Sequence, residues 1–146
     1  MDELFEQVPR FSGVKCLLFI GDAILAYRRD TNTKKYPLMI DLPGGGAEEG
    51  ETPFMTLCRE TMEEFGLTLE PEHIVYAKKN DSVDMPGTVT FFVVVKLPQE
   101  AERDIVFGDE GLEWMLLSEE EFFAREDGIA WLQKRAVEAM NAISTR

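Results

Sequence analysis

The first hydrophobic pattern near the start of the chain consists of two short apolar runs that are joined by a tight turn. The runs Val14–Ile20 and Ala23–Tyr27 are rich in the aliphatic and aromatic residues typical of strands. Gly21-Asp22 lies between them and suits a two-residue hairpin with a positive φ at the glycine. A polar, basic stretch from 28 to 35 predicts a loop. The glycines that follow the short apolar run 38–40 are expected to end any strand there.

A helical pattern replaces the strand pattern at residues 52–65. Side chains suited to burial recur there at three- and four-residue spacing and define one stripe: Phe54, Leu57, Cys58, Thr61 and Phe65. Thr52 offers a capping hydroxyl just before Pro53, which a first helical turn tolerates, and Gly66 supplies a stop. The pattern therefore predicts a helix over 52–65.

The second half of the chain returns to strand-like runs and closes with a helix. Ile74–Lys78, Thr88–Leu97 and Gly111–Leu117 predict strands, with a turn over 81–87. Residues 128–143 predict an amphipathic helix with six apolar residues on one side: Ile129, Leu132, Ala136, Val137, Met140 and Ile143. Strands outnumber helices, which indicates a single domain over residues 1–146, of the α/β or α+β class, layered around a mixed sheet.

The charge of the chain limits its partners. A formal net charge of -13 would repel nucleic-acid polymers, whose binding rests on basic surfaces. No apolar stretch approaches the roughly 20 residues that span a bilayer. The acidic and mixed first ten residues are typical of neither a signal nor a transit peptide, so we expect a cytoplasmic protein. A small polyanionic substrate is still possible, provided that bound metal ions reverse the negative electrostatic field of the acidic side chains at the site.

Three carboxylates share one patch of the predicted helix. Glu60, Glu63 and Glu64 stand at i, i+3 and i+4, within an arc of roughly 100° beside or opposite the apolar stripe. Like charges at this spacing destabilise a helix, so helix stability alone does not favour the arrangement. A hard divalent cation would relieve the repulsion, because oxygen ligands suit magnesium and calcium. The other interpretation is a solvated acidic face.

The segment from Gly45 to Leu67 resembles the Nudix box, G-x5-E-x7-R-E-U-x-E-E-x-G-U, in which U is aliphatic. Every invariant position is matched, by Gly45, Glu51, Arg59, Glu60, Glu63, Glu64 and Gly66. One aliphatic position holds Thr61, which keeps a methyl group for packing. The resemblance implies a Nudix-type α/β/α sandwich with a central mixed β-sheet, and a hydrolase that cuts the diphosphate linkage of nucleotide-like substrates.

The resemblance also implies a metal site. Glu60 and Glu64 match the principal magnesium ligands of the family, and Glu63 matches a further ligand or a general base. Gly44 occupies the place of a backbone carbonyl that binds metal. The implied cofactor is Mg²⁺, with Mn²⁺ as a substitute. Metal ions would neutralise the diphosphate and lower the pKa of a bound water, leaving one carboxylate to accept its proton.

Further acidic and basic residues complete the implied catalytic machinery. Arg59 matches a residue that holds the loop against the helix through an ion pair with Glu51, for which its forked guanidinium is suited. A further acid is expected from the stretch before the strand 111–117, where Glu110 and Glu113 are the candidates. We favour Glu110, because it lies in a loop flanked by glycines, whereas Glu113 falls inside the expected strand.

Substrate recognition is expected from residues before and after the box. The basic stretch that contains Arg28, Arg29, Lys34 and Lys35 suits contacts with outer phosphate groups, although these residues could equally offset an acidic surface. The aromatic candidates for stacking on a base are Tyr27, Tyr36, Phe91, Phe92 and Trp114, and we expect most of them to be core. The short chain, without an extra recognition domain, favours a nucleoside triphosphate or a modified dNTP.

Two other functions compete with hydrolysis. A catalytically silent Nudix-fold module that binds nucleotides and regulates a partner would lose box carboxylates, and all of them are present here. An isoprenoid diphosphate isomerase of the superfamily would need a catalytic cysteine, whereas Cys16 and Cys58 are expected to be buried, reduced thiols. The sequence leaves open a homodimer.

Overall fold

The computed structural model describes residues 2–145 and contains one mixed sheet of seven strands. The strands are β1 (Phe11–Ile20), β2 (Ala23–Arg29), β3 (Ile40–Asp41), β4 (Gly44–Gly46), β5 (Ile74–Asp81), β6 (Val89–Leu97) and β7 (Gly111–Leu117). The central path runs in the order β3-β2-β1-β6-β5, with β7 paired to β2 and β4 paired to β1. The β1·β6 pair is parallel and the others are antiparallel.

Alternation along the central strands gives the sheet two apolar faces. On β1, Cys16 and Leu18 belong to one core, whereas Leu17 and Phe19 belong to the other. Helix α1 (Pro53–Phe65) covers the first face and α3 (Ala130–Ser144) covers the second, and the short α2 (Glu119–Ala124) packs against β2 and β7. The expected layered fold around a mixed sheet is therefore confirmed.

The ends of α1 follow the capping signals. The Thr52 side chain accepts a hydrogen bond from the Met55 amide at 3.2 Å, with Pro53 in the first turn. Gly66 has a left-handed φ of 67° and its amide bonds to the Met62 carbonyl. The predicted helix is confirmed, and its buried stripe fixes which of its sides remains free for chemistry.

Several boundaries differ from the sequence-based prediction. β2 continues through Arg28 and Arg29, so the basic loop begins only at Asp30. The glycines do not end a strand but form β4, because their bare backbone pairs closely with β1. The short helix α2 was missed, although Ser118 and Glu121 form the reciprocal capping box that signals a helix start.

The closing helix and the cysteines also need small corrections. Val137 is 44% exposed, because the buried stripe of α3 runs through Ala136 and Ala139 instead. Cys16 is fully buried and Cys58 is half-buried, and both are free thiols. No helix in residues 2–145 is long and apolar enough to cross a membrane. The single-domain assignment of the chain stays a prediction.

Candidate active site

The glycine-rich strand β4 lies directly against β1 and α1. Gly44 has a φ of 128°, a range that favours glycine, and a Cβ atom there would overlap the Val14 carbonyl oxygen. A Cβ atom at Gly45 would lie 2.5 Å from the Glu60 carboxyl group. Glycine is therefore needed at Gly44, because the backbone of a neighbouring strand packs on it, whereas at Gly45 a larger residue would displace the Glu60 carboxyl group.

Two of the three helix carboxylates face β4. Glu64 is 7% exposed, and its Oε1 accepts a hydrogen bond from the Gly44 amide at 3.0 Å. The Glu60 side chain is 13% exposed and lies over Gly45. Glu63 is 52% exposed and stands at the rim of the site. Glu60 and Glu64 are thus brought to the glycine turn, whereas Glu63 faces solvent.

Arg59 draws two of these carboxylates toward itself. Its Nη1 donates to Glu60 Oε1 at 2.9 Å and lies 3.4 Å from Glu63 Oε2. Among the residues that the structure describes, no three acidic, cysteine or histidine side chains stand in a preformed metal cluster. A metal ion would therefore require the Glu60 and Glu63 side chains to turn away from Arg59.

The electrostatics at Glu64 nevertheless fit a cation. The pKa of the Glu64 carboxyl is raised from 4.5 to about 8, chiefly by burial and also by the charges of Glu60 and Asp41, while Lys15 and the Gly44 amide oppose the shift. Burial also raises the pKa of Glu60, against the pull of Arg59. For both carboxyl groups burial outweighs the nearby positive charge, and their oxygens are the ligands that hard divalent cations prefer.

The expected ion pair between Arg59 and Glu51 is present. Arg59 Nε donates to Glu51 Oε2 at 2.8 Å and Nη2 to Oε1 at 3.1 Å, while Nη2 also reaches the Gly46 carbonyl at 2.8 Å. Glu51 further accepts from the Thr56 hydroxyl and the Glu48 amide, each at 2.8 Å. The hydrogen bond from Arg59 is the main reason that the pKa of Glu51 falls to about 2. This fork ties the loop before α1 to the helix and to β4.

A buried charge cluster behind the turn was not predicted from the sequence. Asp41 is 1% exposed and forms ion pairs with Lys15 at 3.0 Å and Arg29 at 2.7 Å. It also accepts from the Tyr27 hydroxyl at 3.2 Å and the Leu42 amide at 2.7 Å. A usable signal was present, because a lysine interrupts the apolar run of β1 and an aspartate follows the short apolar run before the glycines.

The two predicted substrate arginines have different surroundings. Arg28 pairs with Glu113 at 3.1 Å and Asp127 at 3.2 Å and donates to the Leu38 carbonyl at 2.9 Å. Arg29 instead turns toward Asp41 and borders the cavity described below. Of the two, Arg29 is the better located for contact with a ligand near the glycine turn.

Glu110 is held near the helix carboxylates by the loop before β7. The Gly108 amide donates to the Glu64 carbonyl oxygen at 2.9 Å, which attaches this loop to the end of α1. Glu110 is exposed two residues later, and its negative charge acts on Glu60. Glu113, the alternative acid, lies on β7 as expected, and an arginine engages it there.

A cavity of about 260 Å³ opens beside the glycine turn. Its floor includes Gly45, Gly46 and Lys15, and its walls come from residues 82–85 and from the start of α3. Trp131 lines it, with the Arg135 guanidinium 4.7 Å from the ring centroid. Of the aromatic candidates for base stacking, Phe91 borders this cavity although it is only 3% exposed, whereas Phe92 does not line the cavity and belongs to the core on the other face of the sheet.

Trp131 also ties the walls of this cavity together. Its indole N–H donates to the Tyr36 hydroxyl at 3.2 Å, and that hydroxyl in turn donates to Asp84 at 3.4 Å. Trp131 was missed because the sequence interpretation treated 128–143 as a packing helix and sought recognition residues upstream. The signal was an aromatic residue outside the apolar stripe of that helix.

Comparison with known proteins identifies the family and the fold. The NUDIX domain model matches residues 9–139, and no curated protein sequence matches the chain. A MutT protein from Methanosarcina mazei Go1 is 22% identical with a TM-score of 0.67, over 88% of this chain and 92% of that one. The E. coli dihydroneopterin triphosphate pyrophosphohydrolase is 21% identical with a TM-score of 0.61, over 88% and 94%.

A third solved structure contains a metal ion. It is a bifunctional NMN adenylyltransferase/ADP ribose pyrophosphatase from Francisella tularensis complexed with AMP and a Mn ion, 23% identical with a TM-score of 0.59, over 87% of this chain and 37% of that one. These structures share the fold of the present chain. The family model covers most of the described residues, including β4, α1 and the loop that holds Glu110. The chain therefore belongs to the Nudix hydrolase family.

Proposed function

We propose that this hydrolase cleaves the diphosphate linkage of a nucleoside triphosphate or a modified dNTP in a reaction that depends on Mg²⁺. The observation that carries the proposal is the buried Glu64 carboxyl at the glycine turn, next to Glu60 and beside a cavity large enough for part of a ligand. A buried acid with too little positive charge around it destabilises the fold unless a ligand compensates for it. That cost is explained if the site exists for a cation.

Four groups of this chain would hold the metal: the carboxylates of Glu60, Glu63 and Glu64 and the Gly44 carbonyl. Nudix hydrolases generally use divalent metal ions, and the Francisella relative is complexed with Mn. The metal would neutralise the diphosphate oxygens and lower the pKa of an attacking water. The preference for Mg²⁺, with Mn²⁺ as a substitute, is part of the proposal.

The remaining residues of the site position the substrate and accept a proton. Glu63 and Glu110 are the candidate general bases, because both side chains are exposed near the rim of the site. The Arg59–Glu51 fork keeps the loop before α1 against β4, so that the metal-binding carboxylates keep a fixed relation to the glycine backbone.

The cavity beside the turn would receive the nucleoside part of the substrate. Trp131 offers an aromatic wall, and base stacking on an aromatic side chain is tolerant of the base involved. Arg29 borders the same cavity and would meet the phosphate chain, which supports the earlier choice of this residue. Contact between Arg28 and an outer phosphate group stays a prediction, and Arg28 would have to break its ion pairs with Glu113 and Asp127 to make that contact.

The expected partner is a small nucleotide, as for the Nudix relatives named above. The cytoplasmic location, the lack of a nucleic-acid partner and a homodimer stay predictions. Preservation of all the box carboxylates favours catalysis over the silent nucleotide-binding module.

A substrate screen tests the proposed function directly. The purified protein is incubated with nucleoside triphosphates, modified dNTPs, dinucleoside polyphosphates and nucleoside diphosphate sugars, with Mg²⁺ or Mn²⁺, and products are separated by chromatography. We expect a triphosphate to be cut most efficiently, and EDTA to abolish the reaction. Hydrolysis that survives complete metal removal, or no cleavage of any of these compounds, would contradict the proposal.

A further inference from the structure

Lys15 reaches the glycine turn from the centre of the sheet. Its ammonium lies 3.0 Å from Asp41 Oδ1, 3.1 Å from the Leu42 carbonyl oxygen and 3.5 Å from the Gly44 carbonyl oxygen. An ammonium has three donors and no acceptor, so these three oxygens match its full capacity. Lys15 therefore contacts the same backbone oxygen that we assign to the metal.

Asp41 has other donors besides Lys15. Arg29 lies 2.7 Å from the other carboxylate oxygen, and Tyr27 and the Leu42 amide also donate to this side chain. The cluster of one aspartate and two cations thus carries an excess positive charge. This excess lies on the side of the glycine turn, where it also attracts the Glu64 carboxylate.

We propose that Lys15 is a positioning residue that acts as an internal counter-cation, holding the Gly44 carbonyl in the metal-free site and thereby lowering the affinity of that site for divalent metal. The inference rests on the metal site of the proposed function. A divalent cation would compete with the ammonium for the Gly44 oxygen and would be repelled by its charge. The substrate-free enzyme would then hold metal weakly, and the negative charge of a diphosphate would offset Lys15.

Metal binding by a charge-removing variant tests this role without any turnover. Lys15→Met keeps much of the apolar stem and removes the charge, and Asp41 retains Arg29, Tyr27 and the Leu42 amide. Isothermal titration with Mn²⁺, in the absence of substrate, should show a dissociation constant at least about tenfold lower than that of the wild type, equivalent to about 1.4 kcal/mol. Lys15→Arg, which keeps the charge, should stay within about threefold.

A matched control separates local from overall charge. Lys78→Met removes the same charge from β5, where Lys78 pairs with Glu138 at 3.9 Å, and should change the Mn²⁺ affinity by less than about twofold. Equal tightening in both variants, or no tightening in folded Lys15→Met, overturns the role of Lys15 but leaves the metal site standing. If neither wild type nor variant binds Mn²⁺, the metal assignment of the proposed function fails as well. Should Lys15→Met not fold, Lys15→Gln is measured against the same criteria.

Discussion

Two buried carboxyl groups, those of Asp41 and Glu64, lie near the glycine turn, and their surroundings differ. Asp41 has two cations, a tyrosine hydroxyl and a backbone amide around it, and the pull of Lys15 and Arg29 outweighs its burial and keeps its pKa below the ordinary value. Glu64 accepts one hydrogen bond, from the Gly44 amide, and its burial outweighs that bond and the more distant attraction of Lys15, so that its pKa is raised to about 8. The first carboxyl is compensated within the chain, whereas the second is not.

This difference in compensation suggests that Asp41 has a structural role and that Glu64 has a functional one. A compensated buried ion needs nothing from outside, and removing one member of its cluster leaves an uncompensated charge. An uncompensated buried acid weakens the fold unless it serves a ligand, and its position next to Glu60 and the Gly44 backbone matches a cation site. We therefore expect substitutions at Asp41 to act mainly on stability and substitutions at Glu64 to act mainly on turnover.

The largest effect is expected from Glu64→Gln. The amide keeps the size and the helix propensity of the side chain, but it cannot bind a hard cation as a carboxylate does. Loss of one such charged group at a reacting centre commonly costs 10² or more in rate, so we expect turnover to fall by about 10² or more. The circular dichroism spectrum should be unchanged. Activity within about threefold of wild type would show that Glu64 is not an essential ligand.

A matched substitution on an exposed acid controls for the loss of charge. Glu100→Gln alters an exposed residue of the 3-10 helix Gln99–Asp104 and should leave turnover unchanged. A large loss of activity in this variant would mean that overall charge, and not the buried site, explains the result at Glu64.

The second effect is expected from Asp41→Asn and falls on stability. The substitution leaves Lys15 and Arg29 without their shared carboxylate, and breaking a buried ion pair in this way costs about 3 kcal/mol. Denaturant unfolding should report this loss. Asp127→Asn, at a more exposed ion pair with Arg125, should cost less than about 1 kcal/mol. If both variants lost the same free energy of unfolding, Asp41 would be no more important for stability than an exposed ion-pair residue.

The same two carboxyl groups show how far the sequence alone can go. Glu64 could be predicted, because a contiguous motif and helical spacing bring it to one patch with Glu60 and Glu63. The sequence marks Asp41 only as an acid after an apolar run, and it does not reveal the partners of Asp41, which lie 12 and 26 positions away on β2 and β1 and are brought to it by strand pairing. Local motifs identify residues within one element, whereas charge clusters between elements depend on sheet register.

The fold and the recognition site follow the same rule. The helix α1 and the central strands were predicted, because their periodicity and capping residues act within a few positions. The strand formed by Gly44–Gly46 was not, because pairing with β1 overrides the low strand propensity of glycine. Trp131 was missed for a related reason, since the cavity that it lines is built from segments that lie far apart in the sequence.

A smaller effect is expected from Arg59→Ala, which removes a partly exposed ion pair instead of a buried one. The substitution removes the fork to Glu51 and the hydrogen bond to Gly46, and charge-assisted hydrogen bonds of this kind contribute about 2 kcal/mol in total once partial exposure is considered. The melting temperature should fall by several degrees and turnover should also fall, since the loop before α1 loses its anchor. Arg103→Ala, at an exposed arginine of the segment 99–104, is the control. Wild-type stability together with wild-type turnover in Arg59→Ala would contradict this role.

The smallest effect is a dependence of stability on pH that Glu64 alone should produce in metal-free protein. Its folded-state pKa of about 8 lies above the ordinary 4.5, so folding favours the protonated form. The stabilisation is complete below about pH 4.5 and is lost as pH rises toward 8. Between pH 6 and pH 7 the free energy of unfolding of the wild type should therefore fall by about 1 kcal/mol relative to Glu64→Gln, which does not titrate there.

Urea unfolding of both proteins in EDTA measures this difference directly. Mn²⁺ should reverse its sign, because a bound cation favours the ionised carboxylate. A difference that is flat from pH 5 to 8 would mean that Glu64 is compensated as fully as Asp41, and the contrast between the two carboxyl groups would be lost.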